Sequence, residues 1–190
     1  MKRRTVTALM VILVTIGTWQ FGHGAWIYLK AQLAQYLLQQ AWSRTMNGEP
    51  HVKPWPWADT WPVARLRVPY YGVDLIVLAG PSGRTLAFGP AIVNVGVEKE
   101  LRGTIVISGH RDTHFQFVQK LRDGDELLIE QPGQPRRTYH VTETQVIDSR
   151  TTSLMSDPDV DQLVLVTCYP FEAIMPGGPL RYLVTAEKSE

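Results

Sequence analysis

The chain contains one cysteine in 190 residues, Cys168, which directly follows the apolar run DQLVLVT. A second apolar run, TIVISG, leads directly to His110, and Arg181 lies thirteen residues after Cys168. A thiol becomes an efficient nucleophile beside an imidazole or a cation. Acyl transfer also generates an oxyanion, which needs a fixed donor or a positive charge. Cys168, His110 and Arg181 are therefore candidate residues of a thiol acyl-transfer site, if the fold brings them together.

Two alternatives compete with this interpretation. A single cysteine is often a small packed core residue, and His110 and Arg181 could equally be a hydrogen-bonded structural histidine and a surface charge. A metal site is the second alternative, because His110 and His114 are four residues apart, like two ligands of a zinc protease helix, and Cys168 offers a third ligand. Arg111 stands where that motif needs its glutamate, which argues against zinc hydrolysis.

The overall composition favours an ordinary globular protein without a nucleic-acid partner. The chain is 44% hydrophobic and 19% charged, and its formal net charge is +1, so no strong field would attract a polyanion. Asp157, Asp159 and Asp161 alternate along the chain, but no glycine or glutamate stands at the positions that an EF-hand loop needs. We therefore predict no cofactor, and the sequence does not support calcium binding.

Short strand patterns separated by turn signals fill the chain from residue 63 onward. The predicted strands span residues 63–70, 73–79, 104–109, 125–131, 136–148, 161–167 and 180–187, and a short helix is predicted at 114–121. Strands at this spacing predict a mainly β fold, a closed or nearly closed antiparallel barrel of about 125 residues. Since no alternating strand–helix–strand pattern occurs, the sequence does not predict a parallel sheet.

The N-terminus has the pattern of a membrane anchor. Basic residues at positions 2–4 precede an uncharged run from Thr5 to Leu29, which is long enough to cross the roughly 30 Å hydrocarbon layer as a helix. The excess of basic residues before the run predicts an N-terminus inside and a catalytic domain outside. A cleaved signal peptide is the alternative, since Gly22-His23-Gly24 has the small-x-small pattern of a cleavage site, although no A-x-A motif follows the apolar run. Both interpretations place the domain outside the cytoplasm.

Residues 30–62 connect this segment to the predicted barrel. A helical pattern continues to about residue 44, with an apolar stripe at Trp26, Leu29, Leu33, Tyr36 or Leu37, and Ala41. It predicts a spacer that packs on the domain, with a helix lying on the membrane surface as the alternative. The following segment, 47–62, contains four prolines and three tryptophans, so we expect an extended tether that docks on the domain. The predicted organisation is an anchor at 1–29, a helix and tether at 30–62, and a catalytic barrel at 63–190.

These motifs carry a resemblance to the sortase family. VLVTC resembles the sortase TLxTC signature, the distance from Cys168 to Arg181 is typical of sortases, and ISGHRD is similar to the segment that holds the catalytic histidine. Further blocks resemble the class GN sortases of Gram-negative bacteria. They are KAQLAQYLLQQAW, KPWPWADTWPVARL, LAGPSGRTLAFGP, SGHRDTHFQF and LVTCYPFEAIMPGGPLRYLV. The resemblance is weakest in residues 91–103, a difference that would affect a substrate-groove wall rather than the catalytic residues.

The resemblance implies a transpeptidase on a sortase-type closed eight-stranded β-barrel with short helices. Cys168 would attack a backbone carbonyl in the C-terminal sorting motif of a secreted protein, and His110 would act as general acid and then as general base. Arg181 would hold the carbonyl or the oxyanion. Thr167 would contribute a second substrate contact, and Asp112 and His114 would support His110 or line a pocket.

The family also implies partners and a location, and it leaves alternative functions open. The expected partners are a protein substrate with a sorting motif, an amine acceptor of unknown identity and the inner membrane, with a periplasmic catalytic domain. A cysteine peptidase would resolve the same acyl-enzyme with water. An L,D-transpeptidase also uses a thiol, but it carries an SHGC-type block where this chain has TCYP. A membrane-tethered binding module would keep Cys168 only for packing.

Overall fold

The computed structural model describes residues 2–93, 103–152, 160–173 and 177–189. The chain divides into two units, Met1–Leu37 and Leu38–Glu190. The first unit belongs to the long helix α1 (Lys2–Met46), which by length and composition contains a stretch apolar enough to cross a membrane. The division into anchor, tether and barrel domains remains a prediction. Most of the weakly matching stretch 91–103 lies outside the described residues.

Eight strands within the described ranges form a closed barrel. The strands are β1 (Pro62–Val68), β2 (Val73–Ala79), β3 (Ala91–Ile92), β4 (Ile105–Ser108), β5 (Glu126–Glu130), β6 (Arg137–Asp148), β7 (Gln162–Cys168) and β8 (Leu180–Lys188). Their order around the barrel is β1-β2-β3-β4-β7-β8-β6-β5, and β5 pairs with β1 to close it. The closed eight-stranded barrel implied by the resemblance is therefore confirmed.

The barrel is not purely antiparallel, which corrects the prediction from strand spacing. The pairs β2–β3 and β4–β7 are parallel. Parallel neighbours need a crossover connection, which is usually a helix. Here the connection from β4 to β7 contains β5 and β6 on the other side of the barrel, so no strand–helix–strand pattern marks it in the sequence.

The core follows the alternation of side chains along the strands. On β7, Leu163 and Leu165 belong to the main core inside the barrel, whereas Val164 and Val166 belong to a separate cluster with Val106 and others. The five residues from 163 to 167 are all buried. A strand buried on both faces is a rigid support for a residue at its end.

Short helices and turns complete the domain. A 3₁₀ helix, Pro69–Tyr71, connects β1 to β2, and helix α2 (Gly83–Leu86) precedes β3. The helix predicted at 114–121 is a 3₁₀ helix over Gln116–Lys120. The two-residue strand β3 and the four-residue helix α2 were not predicted, because elements this short leave no periodic pattern.

The C-terminal part of α1 packs on the barrel domain, as predicted for the spacer. Its buried residues in the second unit are Leu38, Ala41, Trp42 and Thr45. Leu38 and Trp42 form an apolar cluster with Ile76, Leu78 and Ala91. Of the predicted stripe, Ala41 lies in this unit, and it is buried.

The Trp-rich segment docks on the domain, as the composition predicted. The Trp55 and Phe88 rings pack edge to face, with their centroids 4.8 Å apart. The Thr60 hydroxyl donates to the Ala79 carbonyl oxygen at 2.7 Å, and the Ala79 N–H donates to the Trp61 carbonyl at 2.9 Å. The segment is therefore anchored at the end of β2, although Trp57 itself is exposed.

The packing of Leu38 on the domain gives a matched pair of substitutions. We expect Leu38→Ala to lower the free energy of unfolding by about 2–4 kcal/mol, because a fully buried leucine leaves a cavity when truncated. We expect Met46→Ala to change it by less than about 0.5 kcal/mol, since Met46 is exposed. Denaturant unfolding of the full chain in detergent measures both values. Equal losses in the two variants would contradict the packing of Leu38 on the domain.

Candidate active site

Cys168 and Arg181 face each other across two antiparallel strands. Cys168 is the last residue of β7, Arg181 is the second residue of β8, and the two are register partners. Residues directly opposite in an antiparallel pair place their side chains on the same face of the sheet, with Cβ atoms about 4.5–5.5 Å apart. The Tyr169 N–H donates to the Leu180 carbonyl at 3.1 Å, so the pairing continues past the cysteine. The backbone thus sets a thiol beside a guanidinium.

The segment with His110 joins the same edge from the other side of β7. Parallel pairing of β4 with β7 sets Ser108 opposite Val166, and each lies two residues before a candidate, His110 or Cys168. The Gly109 N–H donates to the Val166 carbonyl at 3.1 Å. The Thr167 hydroxyl donates to the Gly109 carbonyl at 2.8 Å. These bonds carry the alignment of the two chains up to the residues before His110 and Cys168.

The three candidate residues are accessible where the strands emerge from the core. Cys168 and Arg181 are half-buried, and His110 is exposed, although the residues that precede Cys168 on β7 are buried. By alternation, Cys168 lies on the same face of β7 as Val164 and Val166, which point away from the main core. The thiol therefore lies on the outer face of the barrel, where a peptide could reach it.

The Arg181 guanidinium is held by carbonyls of the chain that leads into β8. Its Nη1 donates to the carbonyl oxygens of Gly178 at 2.7 Å and Leu180 at 2.8 Å. A guanidinium carries five N–H donors in a planar fork. The N–H donors on its Nε and Nη2 can bond a carbonyl oxygen or an oxyanion near Cys168.

A tight turn after β4 fixes the backbone of His110. The Phe115 N–H donates to the His110 carbonyl at 3.0 Å, which brings the fully buried Phe115 ring back over Gly109. A Cβ atom at Gly109 would lie 2.6 Å from the Phe115 ring. Only glycine leaves room for this contact, so the position before the histidine is constrained by packing.

The structure places the three predicted supporting residues in different surroundings. Thr167 is buried and bonds Gly109, so its hydroxyl links the two strand ends whatever contact it makes with a substrate. Asp112 is exposed and forms an ion pair with Arg111. His114 is half-buried, and its Nδ1 lies 3.2 Å from the Thr113 hydroxyl. Their roles in catalysis remain predictions.

Arg111, Gly109 and Phe115 are the residues near the site to which the sequence analysis gave no positive role. Arg111 is buried and interacts electrostatically with Cys168. Hydrogen bonds to Asp112 raise the pKa of Arg111 and lower the pKa of Asp112. The sequence signal that could have pointed to Arg111 was the adjacent charged pair Arg111 and Asp112, placed just after a buried strand and the glycine and histidine that follow it. That signal indicates that Arg111 needs an ion-pair partner, but it does not identify the carbonyls of Pro170 and Ala173 that it bonds.

The described residues offer no metal centre. Among them, no group of three or more histidine, cysteine, aspartate or glutamate side chains could hold a metal ion. His110, His114 and Cys168 all belong to the described residues, so the zinc alternative gains no support. Of the alternating aspartates, Asp157 and Asp159 lie outside the described ranges. Asp161 forms an ion pair with Lys188, with 2.9 Å between its Oδ2 and the Lys188 Nζ.

A thiol, an imidazole and a guanidinium at one sheet edge are suited to acyl transfer. The thiol supplies the nucleophile, the imidazole can move a proton, and the guanidinium can stabilise an oxyanion. The pairings β4–β7 and β7–β8 bring the candidate segments together as the sequence analysis required.

The close contact at Gly109 predicts a specific loss of stability. We expect Gly109→Ala to lower the free energy of unfolding by about 1–3 kcal/mol, because the added methyl overlaps the Phe115 ring. The loss should be smaller in a Phe115→Leu background, which removes part of the ring. Gly83→Ala is the matched control, since a Cβ there meets open space. Equal effects of the two alanine substitutions in denaturant unfolding would contradict a packing role for Gly109.

The environment of His114 predicts a pH dependence of stability. Burial lowers the pKa of His114, and the nearby His110 lowers it further. An unfolded histidine has a pKa of about 6.5. The unfolded chain therefore binds the proton more readily, and stability is lost as the pH falls below about 6.5.

We expect the wild-type chain to lose more unfolding free energy than His114→Gln between about pH 7 and about pH 5. Denaturant unfolding of both chains at matched pH values gives the comparison, and protonation of other groups cancels between them. Parallel stability curves would show that His114 is not destabilised in its charged form.

Comparisons with known proteins agree with this geometry. A sortase domain family model matches residues 66–189. Sortase D of Bacillus subtilis (strain 168) is 30% identical over 125 residues, which are 65% of this chain and 62% of that protein. The match thus spans less than two thirds of the length of that relative.

Solved structures of sortases share the barrel. Sortase C-1 from Actinomyces oris has a TM-score of 0.58 and 28% identity, covering 68% of this chain and 75% of that one. A Clostridium perfringens sortase D5 transpeptidase has a TM-score of 0.65, covering 84% and 99% of the two chains. At 19% identity, this second likeness shows the fold alone. The family model, which covers more than half of the chain, shows that the protein belongs to the sortase family.

Proposed function

We propose that this chain is a membrane-anchored cysteine transpeptidase that acts on the C-terminal sorting motif of a secreted protein. Sortases are cysteine transpeptidases, and the observation that carries the proposal is the register pairing of Cys168 with Arg181. The pairing of β4 with β7 supports it by aligning the segment that ends in His110. A cysteine kept only for packing would not need a guanidinium opposite it.

In the proposed reaction, the Cys168 thiolate attacks a backbone carbonyl of the substrate. The C=O π electrons move to oxygen, and the tetrahedral oxyanion is stabilised by hydrogen bonds from Arg181. His110 gives a proton to the leaving amine as the C–N bond breaks, which leaves a thioester on Cys168. The same imidazole then takes a proton from an incoming amine, which attacks the thioester carbonyl. The C–S bond breaks, and Cys168 leaves as the thiolate with which the reaction began.

The three supporting residues have proposed roles around this reaction. The Thr167 hydroxyl donates to Gly109, and as a hydroxyl it can also accept a second bond near the substrate. His114 is four residues after His110 in the turn region, and Asp112 is two residues after it. We assign these two residues to the surroundings of His110 rather than to the bond-breaking steps.

The N-terminal helix supports the proposed location. One helix, Arg3–Met46, is long and apolar enough to span a membrane. The basic residues before it favour an N-terminus inside and a catalytic domain outside. A class GN sortase would accordingly sit in the inner membrane with its barrel in the periplasm. There it would meet a substrate protein that carries its own sorting signal.

Thioester formation tests the proposed function. We expect the full chain in detergent, mixed with a panel of peptides that carry C-terminal sorting motifs, to gain the mass of an N-terminal peptide fragment. Cys168→Ala should abolish the adduct, because the nucleophile is gone, while unfolding shows an intact domain. Arg181→Ala should reduce its rate at least about a hundredfold, since one oxyanion donor contributes a factor of about 100–1,000. Intact-protein mass spectrometry measures both.

Matched controls separate the site from general effects of mutation. Arg84→Ala removes an exposed arginine on α2 and should leave the adduct unchanged. Release of the adduct by an added amine supports a transpeptidase, whereas release by water alone supports a peptidase. An adduct of equal yield in Cys168→Ala would refute the mechanism.

A further inference from the structure

Arg111 is a buried charged residue that the proposed chemical steps do not use. It directly follows His110, and only 7% of its surface is exposed. Burying a guanidinium is costly unless its donors are paired. The hydrogen-bond partners of Arg111 therefore indicate its role in the structure.

The Arg111 side chain spans two segments of the site. Its Nε and Nη2 bond the two carboxylate oxygens of Asp112 at 2.7 and 3.0 Å. Its Nη1 donates to the Pro170 carbonyl at 2.5 Å, and its Nη2 also donates to the Ala173 carbonyl at 2.8 Å. One planar fork thus ties the chain after His110 to the chain after Cys168.

These bonds complement the strand pairing. The last bonds between the two chains before the candidate residues are those of Gly109 with Val166 and Thr167. Arg111 supplies the next link, beyond both His110 and Cys168, through the carbonyl of Pro170. The imidazole and the thiol are therefore bracketed by hydrogen bonds on both sides along the chain.

We propose that Arg111 is a positioning residue for acyl transfer, which holds the loop after Cys168 against the turn after His110. The inference rests on the proposed function. Lysine could keep the positive charge, but its single ammonium cannot bond Asp112, Pro170 and Ala173 in this planar arrangement. Because Asp112 offsets the charge of Arg111, the geometry points to the fixed fork rather than to the charge alone.

The experiment uses the full chain in detergent and compares Arg111→Lys, Arg111→Met and the control Arg84→Lys. Single-turnover mass spectrometry gives the rate of thioester formation as a function of peptide concentration. Hydrogen exchange reports the opening of residues 169–173 and of the barrel strands in the absence of peptide. Asp112→Asn is a second test that leaves the buried guanidinium in place, since the Asp112 side chain is 69% exposed.

We expect Arg111→Lys to slow the maximal acylation rate about tenfold to a hundredfold, because small misplacements of reacting groups are that costly. The peptide concentration at half-maximal rate should change less than about threefold, since Arg111 positions the reacting groups rather than binds the peptide. Exchange at 169–173 should accelerate while β6 and β8 stay protected. Asp112→Asn should give a smaller loss of the same kind, and Arg84→Lys none.

Two results would overturn the inference while leaving the proposed function intact. The first is an Arg111→Lys variant that acylates at the wild-type rate with unchanged exchange at 169–173. The second is accelerated exchange throughout the barrel, which would make Arg111 a general stability residue. If Arg111→Met does not fold, Arg111→Lys and Asp112→Asn carry the test. A wild-type chain that forms no thioester refutes the proposed function itself, and with it the role of Arg111 in that reaction.

Discussion

The site depends on the parallel pairing of β4 with β7. Parallel strands end at the same edge of a sheet, so this pairing sends the chains that continue to His110 and Cys168 out of the barrel side by side. An antiparallel pair would place their ends at opposite edges. The antiparallel partner β8 then begins where β7 ends, which brings Arg181 to the same edge. Backbone pairing thus brings three chain segments to one edge of the sheet.

The same arrangement shows how a rigid support can carry an accessible site. β7 is buried over residues 163–167 on both faces, and its exposure begins at Cys168. Beyond the strand ends, order comes from individual contacts, such as the Phe115 ring over Gly109 and the hydrogen bonds of Thr167 and Arg111. Burial therefore stabilises the strands, while specific polar and packing contacts position the segments that carry the candidate residues.

The sequence predicts the strands well and their arrangement poorly. Alternation and turn residues locate seven of the eight strands within the described ranges, because those signals are local. Both parallel pairs were missed, since β3 has only two residues and the connection from β4 to β7 runs through β5 and β6. The packing residues Leu38 and Trp42 of α1 were not singled out, because one continuous helix combines the apolar N-terminal run with the residues that pack on the barrel. Cys168, His110 and Arg181 became candidates from residue type and spacing, but the proposed role of Arg111 rests on carbonyls of a distant loop that no local pattern reveals.

The most direct test of the account is the rate of Cys168 alkylation, at one fixed pH, in the wild-type chain and in His110→Ala. If the pairing of β4 with β7 brings the imidazole next to the thiol, the imidazole increases the reactivity of the thiol. The account predicts that alkylation slows when His110 is removed, while unfolding shows an intact barrel. Equal rates in the two chains would show that the two groups do not interact, which would contradict the central claim.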